Sequence, residues 1–337
     1  MRILFYNLDN SSGGNKYFGA KVLEWLHETY TSDLIPIKEN YIDVCSIEKH
    51  YTELSRDLMA LKPDVVIIND LNRNVLIATY HYKLYYPNCK MMFLTRDWTY
   101  IVERENDLCI KNFLDGCSFI LTLNYAPDKI SPFGVPMDNL LFPIDYLEFN
   151  IATPWSQRKN KFVYVGDINS SKFSEEFIVL LKEDNTDVKI DCYGTMSENV
   201  EYNNLFNSCN ALSYNGTLAQ AGVANVLNQY KYFVLPNAFS DKSNISLMQA
   251  MFCGVVPVVM NNRLSDTFNY KWIDWADGLY LGTNTAMDFF SNFKKLINVD
   301  IENGEQYSEL ISNKMQQRSN YTKIKQLIIN KINNLMG

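Results

Sequence analysis

The sequence contains no pair of cysteines at C-x-x-C spacing and only three histidines, His27, His50 and His81, which stand far apart. Protein zinc sites are built from clusters of such side chains at short, regular spacing, so we expect no metal ligands in this chain. The seven cysteines are scattered and odd in number, which favours free, buried thiols in a reducing compartment over a disulfide framework.

Long apolar runs are also absent. No stretch reaches the roughly 18 residues that a membrane-spanning helix requires, and the chain starts directly with a strand-like segment instead of a secretion signal. Hydrophobic residues make up 47% of the sequence and charged residues 20%, which is the balance of a globular protein with a large core. These features predict a cytoplasmic protein of about two domains.

Basic residues are outnumbered by acidic ones, and the formal net charge is −7. This charge argues against a protein whose whole surface binds nucleic acid, although it does not exclude a local basic groove. The C-terminal residues 311–337 are an exception, because they hold five basic residues and no acidic one. One interpretation is an amphipathic helix with a buried apolar face, and the other is a surface that follows phosphates. The basic residues are Lys314, Arg318, Lys323, Lys325 and Lys331.

Two nucleotide-binding fingerprints are missing from the first loop of the chain. Residues 13–19 lack the G-x-G-x-x-G spacing of dinucleotide-binding loops, and no G-K-[ST] follows to make a P-loop. The pair Gly13 and Gly14 still permits close approach of the backbone to a sugar or phosphate, so both are candidate ligand-binding residues.

Short apolar runs alternate with helical patterns along the chain, which predicts mainly parallel sheets in an α/β fold. Residues 146–160 lose this periodicity, so we predict an interdomain linker there, with a first domain at residues 1–150 and a second at 156–317. The predicted strands are residues 3–6, 65–68, 91–94 and 119–122 in the first half and 162–166, 188–193, 233–235 and 255–260 in the second.

Small and polar residues follow the predicted strands in both halves of the chain. Parallel sheets bind ligands beyond the carboxyl ends of their strands, so these residues are the candidates for a site. Their recurrence in both halves favours a cleft between two domains. The candidates are Asp70, Arg73, Arg96, Asp97 and Trp98 in the first half and Gly166, Asp167 and Gly194 in the second.

The most informative segment is residues 232–260, which combine a buried strand, a polar loop, a helix and a second buried strand. Ser243 and Asn244 are favourable N-cap residues for this helix, and Gly254 suits the position just past its end. N–H groups at a helix start bind anions, phosphates in particular. We therefore predict a phosphate site at the backbone of Ser243, Asn244 and Ile245.

This order of elements resembles the donor-binding half of GT-B nucleotide-sugar glycosyltransferases, which have two Rossmann-like α/β domains facing a central cleft. The resemblance rests on residues 162–172 and on a PN-x3-D-x7-Q-A-M-x2-G-x2-P-V-V pattern at 236–259. Asp241 and Gln249 stand where the family commonly has two glutamates. The resemblance implies a nucleotide-sugar donor, a UDP-sugar above all, with Gln249 near the ribose. It also implies that the last helix, predicted at residues 307–336, crosses back so that about 318–337 pack on the first domain.

Lys172 is a candidate cation for the donor diphosphate, and the alternative is a solvated lysine. The chain has no D-x-D motif of the kind that holds a divalent cation in single-Rossmann glycosyltransferases. The two-Rossmann type replaces such a metal by a helix dipole and basic side chains. The resemblance therefore implies no required metal or other cofactor, and it leaves a divalent cation open.

A narrower resemblance connects the chain to phage DNA glucosyltransferases of the β-type, which modify hydroxymethylcytosine. It rests on MRILFYNLDN at the start, MMFLTRDW at residues 91–98 and LLFPIDYLEFN at residues 140–150. It implies that Asp97 is the general base and that Asp145 lies near the donor sugar. Arg96 would contact phosphate and Trp98 would stack, with Asp70 and Arg73 also on the acceptor side. A structural aspartate, paired with Arg96 or capping a helix, is the alternative for Asp97.

The sequence as a whole predicts a cytoplasmic glycosyltransferase, in the host cytoplasm if a phage encodes it. The expected reaction moves a sugar from UDP to the hydroxymethyl group of a base in double-stranded DNA. Two alternatives stay open. The acceptor could be a glycan or protein, which the acidic net charge favours, or the chain could be a catalytically silent nucleotide-sugar-binding protein, as the loss of both glutamates suggests.

Overall fold

The computed structural model describes residues 2–7, 14–30, 34–35, 47–69, 73–95, 107–123, 135–140, 142–184, 188–236, 245–260, 285–297, 303–319 and 321–337. The chain divides into two compact units. The first is Met1–Pro143 together with Tyr321–Gly337, and the second is Ile144–Asn320. Each unit is built on one parallel sheet with helices, which confirms the predicted α/β class.

The first unit contains a six-stranded sheet in the order β2-β1-β3-β4-β5-β6, in which neighbouring strands are parallel. Its strands are β1 (Ile3–Asn7), β2 (Leu34–Ile35), β3 (Val65–Asn69), β4 (Lys90–Thr95), β5 (Phe119–Leu123) and β6 (Met137–Leu140). The helices between them in the described part of the chain are α1 (Gly14–Tyr30), α2 (Ile47–Leu61), α3 (Arg73–Tyr85) and α4 (Leu108–Gly116).

The four strands predicted in the first half are confirmed, and they are the ones with continuous apolar runs. All five residues of β3 are buried, because helices cover a parallel sheet on both faces. The sequence patterns missed β2 and β6, which are the two edges of the sheet. An edge strand pairs on one side only and carries a weaker apolar signal: β2 has two residues, and β6 reads Met-Asp-Asn-Leu.

The second unit contains a five-stranded parallel sheet in the order β11-β10-β7-β8-β9. Its strands are β7 (Lys159–Val165), β8 (Ile190–Tyr193), β9 (Leu212–Tyr214), β10 (Tyr230–Leu235) and β11 (Val256–Val259). The helices described in this unit are α5 (Glu175–Glu183), α6 (Val200–Asn207), α7 (Gln220–Leu227), α8 (Ile245–Phe252), α9 (Ala286–Ile297) and α10 (Gly304–Arg318).

The core of the second unit is rich in aromatic side chains. Phe162 of β7 lies 4.4 Å from Phe293 of α9 and 5.1 Å from Tyr232 of β10, measured between ring centroids. Phe177 of α5 contacts Phe289 and Phe293 edge-on or tilted. Aromatic pairs in these geometries add to the free energy of burial, so α5 and α9 are fixed firmly on the sheet that carries the candidate site.

The predicted linker at residues 146–160 is wrong for most of its length. Phe149, Trp155 and Arg158 are buried, and β7 already begins at Lys159. The side chain of Asn228 holds this segment, since it accepts a hydrogen bond from the Ala152 N–H and donates one to the Asn150 carbonyl. The segment is a packed part of the second unit. Its sequence shows no strand or helix periodicity because its backbone is irregular apart from a single 3-10 turn. The lack of periodicity therefore does not indicate an unpacked linker.

The predicted single helix at residues 307–336 is also wrong. Two helices stand there, α10 and α11 (Tyr321–Met336), and Ser319 just past the end of α10 has a non-helical backbone with φ −116° and ψ 47°. Helix α11 belongs to the first unit. The Trp25 indole N–H of α1 donates to the Tyr321 hydroxyl at 2.8 Å, and the Tyr30 hydroxyl donates to Asn333 Oδ1 at 2.6 Å.

The basic C-terminal segment follows the amphipathic interpretation. Ile324, Ile328 and Ile332 are buried on one face of α11. On its other side Lys325 forms an ion pair with Glu28, and Lys331 forms one with Asp138 at 2.8 Å. These two lysines therefore bind carboxylates of their own unit.

The six cysteines in the described residues are free, and five of them are buried, as the sequence predicts. Among the helices of the described residues, none is long and apolar enough to cross a membrane.

Candidate nucleotide-binding site

The carboxyl edge of the second sheet is built around two glycines, Gly166 after β7 and Gly194 after β8. The Gly166 N–H donates to the Tyr193 carbonyl at 3.0 Å, and the Gly194 N–H donates to the Gly216 carbonyl at 2.9 Å. A Cβ added to Gly194 would lie 1.8 Å from the Gly166 oxygen. The backbones after β7 and β8 therefore approach more closely than any side chain permits.

The two chains continue side by side past the glycines. Ile168 forms an isolated parallel bridge with Met196, and the Ile168 N–H donates to the Thr195 carbonyl at 2.8 Å. The Tyr164 hydroxyl donates to the Asp167 carbonyl at 2.7 Å, and this hydrogen bond fixes the start of the loop. The position of Asp167, whose side chain is exposed, is thus set by backbone contacts on both sides.

The loop after Asp167 is closed by Asn169, a residue that the sequence patterns did not single out. Its side-chain oxygen accepts hydrogen bonds from the N–H groups of Ser171 and Lys172 at 3.1 and 3.0 Å. This is an Asx turn, and the sequence Asn-Ser-Ser is typical of one. The Ser174 N–H then donates to the Pro236 carbonyl at 2.8 Å, so the loop that carries Lys172 is attached to the end of β10.

Tyr214 provides an exposed aromatic face at the same edge. It ends β9, it is 44% exposed, and its hydroxyl donates to the Gly194 carbonyl at 3.0 Å. The hydrogen bond fixes the ring beside the glycine pair. Gly216 follows with φ +81°, a left-handed conformation that favours glycine, and no atom lies within 4 Å of a Cβ placed there.

Helix α8 lies between β10 and β11 and ends as the sequence predicts. Gly254 has φ +69°, its N–H donates to the Met251 carbonyl, and the Val255 N–H donates to the Ala250 carbonyl. These two bonds form a Schellman motif, which requires glycine at the position just past the helix. Because β7 and β10 are parallel, the start of α8 lies at the same sheet edge as the glycine pair. The described helix begins at Ile245.

Gln249 is the unusual side chain of α8. It is only 4% exposed, which is uncommon for a glutamine, because a buried polar side chain needs hydrogen-bond partners. The residue is therefore a candidate to hydrogen-bond a polar ligand group at this edge of the sheet.

Polar residues also end the strands of the first sheet. Asn69, Thr95 and Thr122 are buried at the carboxyl ends of β3, β4 and β5, and Thr95 is paired in register with Thr122. The Tyr6 hydroxyl lies near the end of β1, and burial raises its pKa to about 12. Asp70 directly follows Asn69, and Asp97 stands two residues after Thr95.

The structure places several further candidates. Gly14 is the first residue of α1, so its predicted place in the first loop of the chain is wrong. Arg73 is the first residue of α3. Asp145 is the start of a turn, in which its carboxylate accepts the Leu147 N–H at 3.0 Å. Eight candidates lie outside the described residues: Gly13, Asp70, Arg96, Asp97, Trp98, Asp241, Ser243 and Asn244.

In the described parts of the chain, no group of three or more His, Cys, Asp or Glu side chains is arranged to hold a metal ion. The second sheet thus has a close glycine pair, one helix start, the buried Gln249 and an exposed tyrosine. Such an edge can hold an anion at the helix start and a planar ring beside it.

No family model and no curated protein matches the sequence. Solved structures do match over nearly the full length. HepE from Anabaena, in complex with UDP and glucose, has a TM-score of 0.72 at 13% identity and covers 99% of both chains. Sucrose-phosphate synthase from Thermosynechococcus elongatus has a TM-score of 0.74 at 10% identity, with 100% of this chain and 99% of the other covered.

A glycosyltransferase from Rickettsia africae has a TM-score of 0.72 at 10% identity and covers 99% of this chain and 98% of its own. At these identities the likeness extends to the fold alone. The two parallel α/β units and the similarity to these structures establish that the chain has the GT-B fold.

Proposed function

We propose that the protein is a glycosyltransferase that takes a sugar from a nucleotide-sugar donor, with UDP-sugars favoured. The observation that carries this proposal is the buried glutamine Gln249 in the helix that starts at the carboxyl edge of the second sheet, beside the close glycine pair. Several neighbours in fold were solved with related ligands: HepE with UDP and with UDP-glucose, and TarM with UDP.

In this proposal the donor diphosphate lies at the start of α8. Four N–H groups at a helix start lack intrahelical partners, and the helix dipole adds a partial positive charge. Ile245 is the first described residue of that turn, with Ser243, Asn244 and Asp241 directly before it. Lys172 adds a positive charge from the neighbouring loop, which Ser174 joins to the end of β10.

The nucleoside half of the donor extends along the sheet edge from α8 toward β9. Gln249 accepts and donates hydrogen bonds to the ribose hydroxyls, as a neutral amide can. The close pair Gly166 and Gly194 lets the ligand approach the backbone. The exposed ring of Tyr214, held by its hydroxyl at Gly194, offers the face on which a base stacks.

The chemical step assigned to the first unit is proton abstraction by Asp97. The carboxylate takes the proton from an acceptor hydroxyl, the hydroxyl oxygen attacks the anomeric carbon, and the bond from that carbon to the diphosphate breaks. The nucleoside diphosphate leaves with the bonding electron pair. Resemblance to the β-type enzymes favours inversion at the anomeric carbon, and Asp145, Gly13 and Gly14 are assigned to the donor sugar on the same basis.

The acceptor assigned by the narrower resemblance is the hydroxymethyl group of a modified pyrimidine in double-stranded DNA, with Arg96, Trp98, Asp70 and Arg73 on the acceptor side. This part rests on the sequence segments 1–10, 91–98 and 140–150 alone. The net charge of −7 favours the second candidate, a glycan or protein acceptor, because DNA binding depends on neutralising phosphates with basic residues.

The test is to incubate the purified protein with a panel of nucleotide sugars and hydroxymethylcytosine-containing DNA, followed by mass analysis of the nucleosides. UDP binding is measured in parallel by calorimetry. A hexose- or pentose-sized mass gain on the modified base establishes the DNA acceptor. UDP binding without that gain supports transfer to a glycan or protein. Absence of nucleotide-sugar binding would overturn the proposal, whereas binding without turnover on any acceptor would favour a silent binding protein.

A further inference from the structure

Helix α8 is attached at its C-terminal end to α10 through two buried serine hydroxyls. Ser308 Oγ donates to the Gly254 carbonyl at 2.7 Å, and Ser312 Oγ donates to the Phe252 carbonyl at 2.6 Å. The two serines are 0% and 2% exposed. Their spacing of four residues puts both hydroxyls on one face of α10.

These hydroxyls complete the C-terminal end of α8. The carbonyls of Gln249, Ala250 and Met251 accept the N–H groups of Cys253, Val255 and Gly254. The two serine hydroxyls donate to the next carbonyl, that of Phe252, and to the carbonyl of Gly254 in the turn that follows. A helix end normally leaves several carbonyls without partners, so α8 is held more completely at this end than its own backbone allows.

The contact between α8 and α10 is also close. A Cβ on Gly254 would lie 2.2 Å from Ser308 Oγ and 3.0 Å from Ile151, so no side chain fits between the turn and α10. Residues 247–253 of α8 are each at most 5% exposed. The helix is therefore embedded on all sides, and its C-terminal end is fixed by directional bonds.

We propose that Ser308 and Ser312 are positioning residues for donor binding, which rests on the proposed function of α8 as the diphosphate-binding helix. Helix α8 has eight residues and spans about 12 Å. A short helix moves as a rigid rod, so a shift at its C-terminal carbonyls displaces the N–H groups at its start. Hydrogen bonds to phosphate depend on distance and angle, so such a displacement weakens them. The two serines act at the end remote from the ligand and do not touch it.

The experiment compares the double variant Ser308→Ala/Ser312→Ala with Thr79→Val. Thr79 is the matched control, because its buried hydroxyl also donates to a helix carbonyl, that of Val75, at 2.6 Å. It lies in α3 of the first unit and outside the candidate site. Both variants lose buried hydroxyls and keep the remaining side-chain carbons.

We expect the double variant to raise the UDP dissociation constant on the order of tenfold, because each hydrogen bond to phosphate that the displacement breaks is worth a factor of about three to five. Thr79→Val should lower the melting temperature and leave UDP binding unchanged. In the double variant without UDP, amide hydrogen exchange in residues 249–252, whose N–H groups bond within the helix, should accelerate. Unchanged UDP affinity in the double variant would overturn the inference. If the double variant fails to fold, the two single variants provide the same comparison.

The exchange measurement also separates this inference from the proposed function. If the parent protein binds no nucleotide, the proposed function fails, but the rate of exchange in α8 still decides whether the serines hold the helix. If the parent binds UDP and the double variant binds equally well, the proposed function stands and the positioning role fails.

Discussion

Gly194 lies so close to the Gly166 carbonyl that a Cβ on Gly194 would stand 1.8 Å from its oxygen. Real Cβ atoms do not approach a backbone oxygen to this distance, and Gly194 also has φ +145°, which side chains rarely adopt. The contact joins the ends of β7 and β8 at the carboxyl edge of the sheet that carries the candidate site. It explains why two strands of ordinary sequence each end in glycine.

The first prediction follows from this contact. Gly194→Ala should separate the two strand ends, lower the free energy of unfolding by about 2 kcal/mol or more through strain and lost packing, and abolish UDP binding. Gly222→Ala is the matched control. Gly222 lies in helix α7 with no atom within 4 Å of its Cβ position, so alanine there should raise stability by about 0.5–1 kcal/mol. Urea unfolding measures the stability of both variants, and calorimetry measures their UDP binding. UDP binding by Gly194→Ala at parental affinity would contradict the prediction.

The second prediction concerns Gln249. Gln249→Met keeps the volume of a side chain that is only 4% exposed and removes its amide. Stability should stay within about 1 kcal/mol of the parental value. UDP affinity should fall on the order of tenfold through the lost ligand bonds. A loss of UDP affinity at nearly constant stability identifies a ligand-binding side chain. A loss of stability at constant UDP affinity would identify Gln249 as a packing residue instead.

The third prediction concerns Asp97, which lies outside the described residues. Asp97→Asn keeps the shape of the side chain and removes its ability to accept a proton, so the transfer rate should fall on the order of 100-fold to 10,000-fold. UDP binding should stay at the parental value, because the donor is assigned to the second unit. The measurement is initial-rate kinetics with the acceptor identified by mass analysis. A variant that transfers sugar at the parental rate would exclude Asp97 as the base.

The fourth prediction concerns alkaline stability. Burial raises the pKa of Cys89 from 9.0 to about 11 and that of Cys253 from 9.0 to about 12. The unfolded chain releases these protons near pH 9, whereas the folded chain retains them. The stabilisation is therefore complete below pH 9 and is lost as the pH rises toward 11 and 12.

Each of these two thiols should lower the free energy of unfolding by about 1 kcal/mol between pH 8 and pH 10, since the slope is about 1.4 kcal/mol per thiol and pH unit above 9. Urea titrations at several pH values measure this slope. In Cys253→Ala the slope should be shallower by about 1 kcal/mol over the same interval. An identical slope in the variant and the parent would show that Cys253 does not contribute.

Much of the fold could be predicted from local sequence. The strands β1, β3, β4 and β5 carry continuous apolar runs, and a run of that kind is required wherever a strand is covered on both faces. The C-terminal end of α8 could be predicted from Gly254, because the left-handed turn after a helix needs glycine. Edge strands such as β6 could not be predicted in this way. An edge strand has a neighbour on one side only, so its residues need not form the continuous apolar run by which a buried strand is recognised in a sequence.

The packing of the segment before β7 could not be predicted from local sequence either. Trp155 stands in a stretch without periodicity, and a contact with a residue far along the chain holds it. The Trp155 N–H donates to Glu305, 150 positions away. Likewise Ser308 and Ser312 look like ordinary small residues of an amphipathic helix, and only the carbonyls of α8 give them a partner.

The sequence by itself determined the α/β class, the alternation of strands and helices and the glycines at strand and helix ends, because each depends on the backbone preferences and burial of neighbouring residues. The tertiary structure alone decided that the backbones at Gly166 and Gly194 lie in close contact, that Gln249 is buried, and that the C-terminal residues divide into α10 and α11. These features depend on distances between segments remote in sequence, and such distances exist only once the sheets have formed and the helices have packed on them.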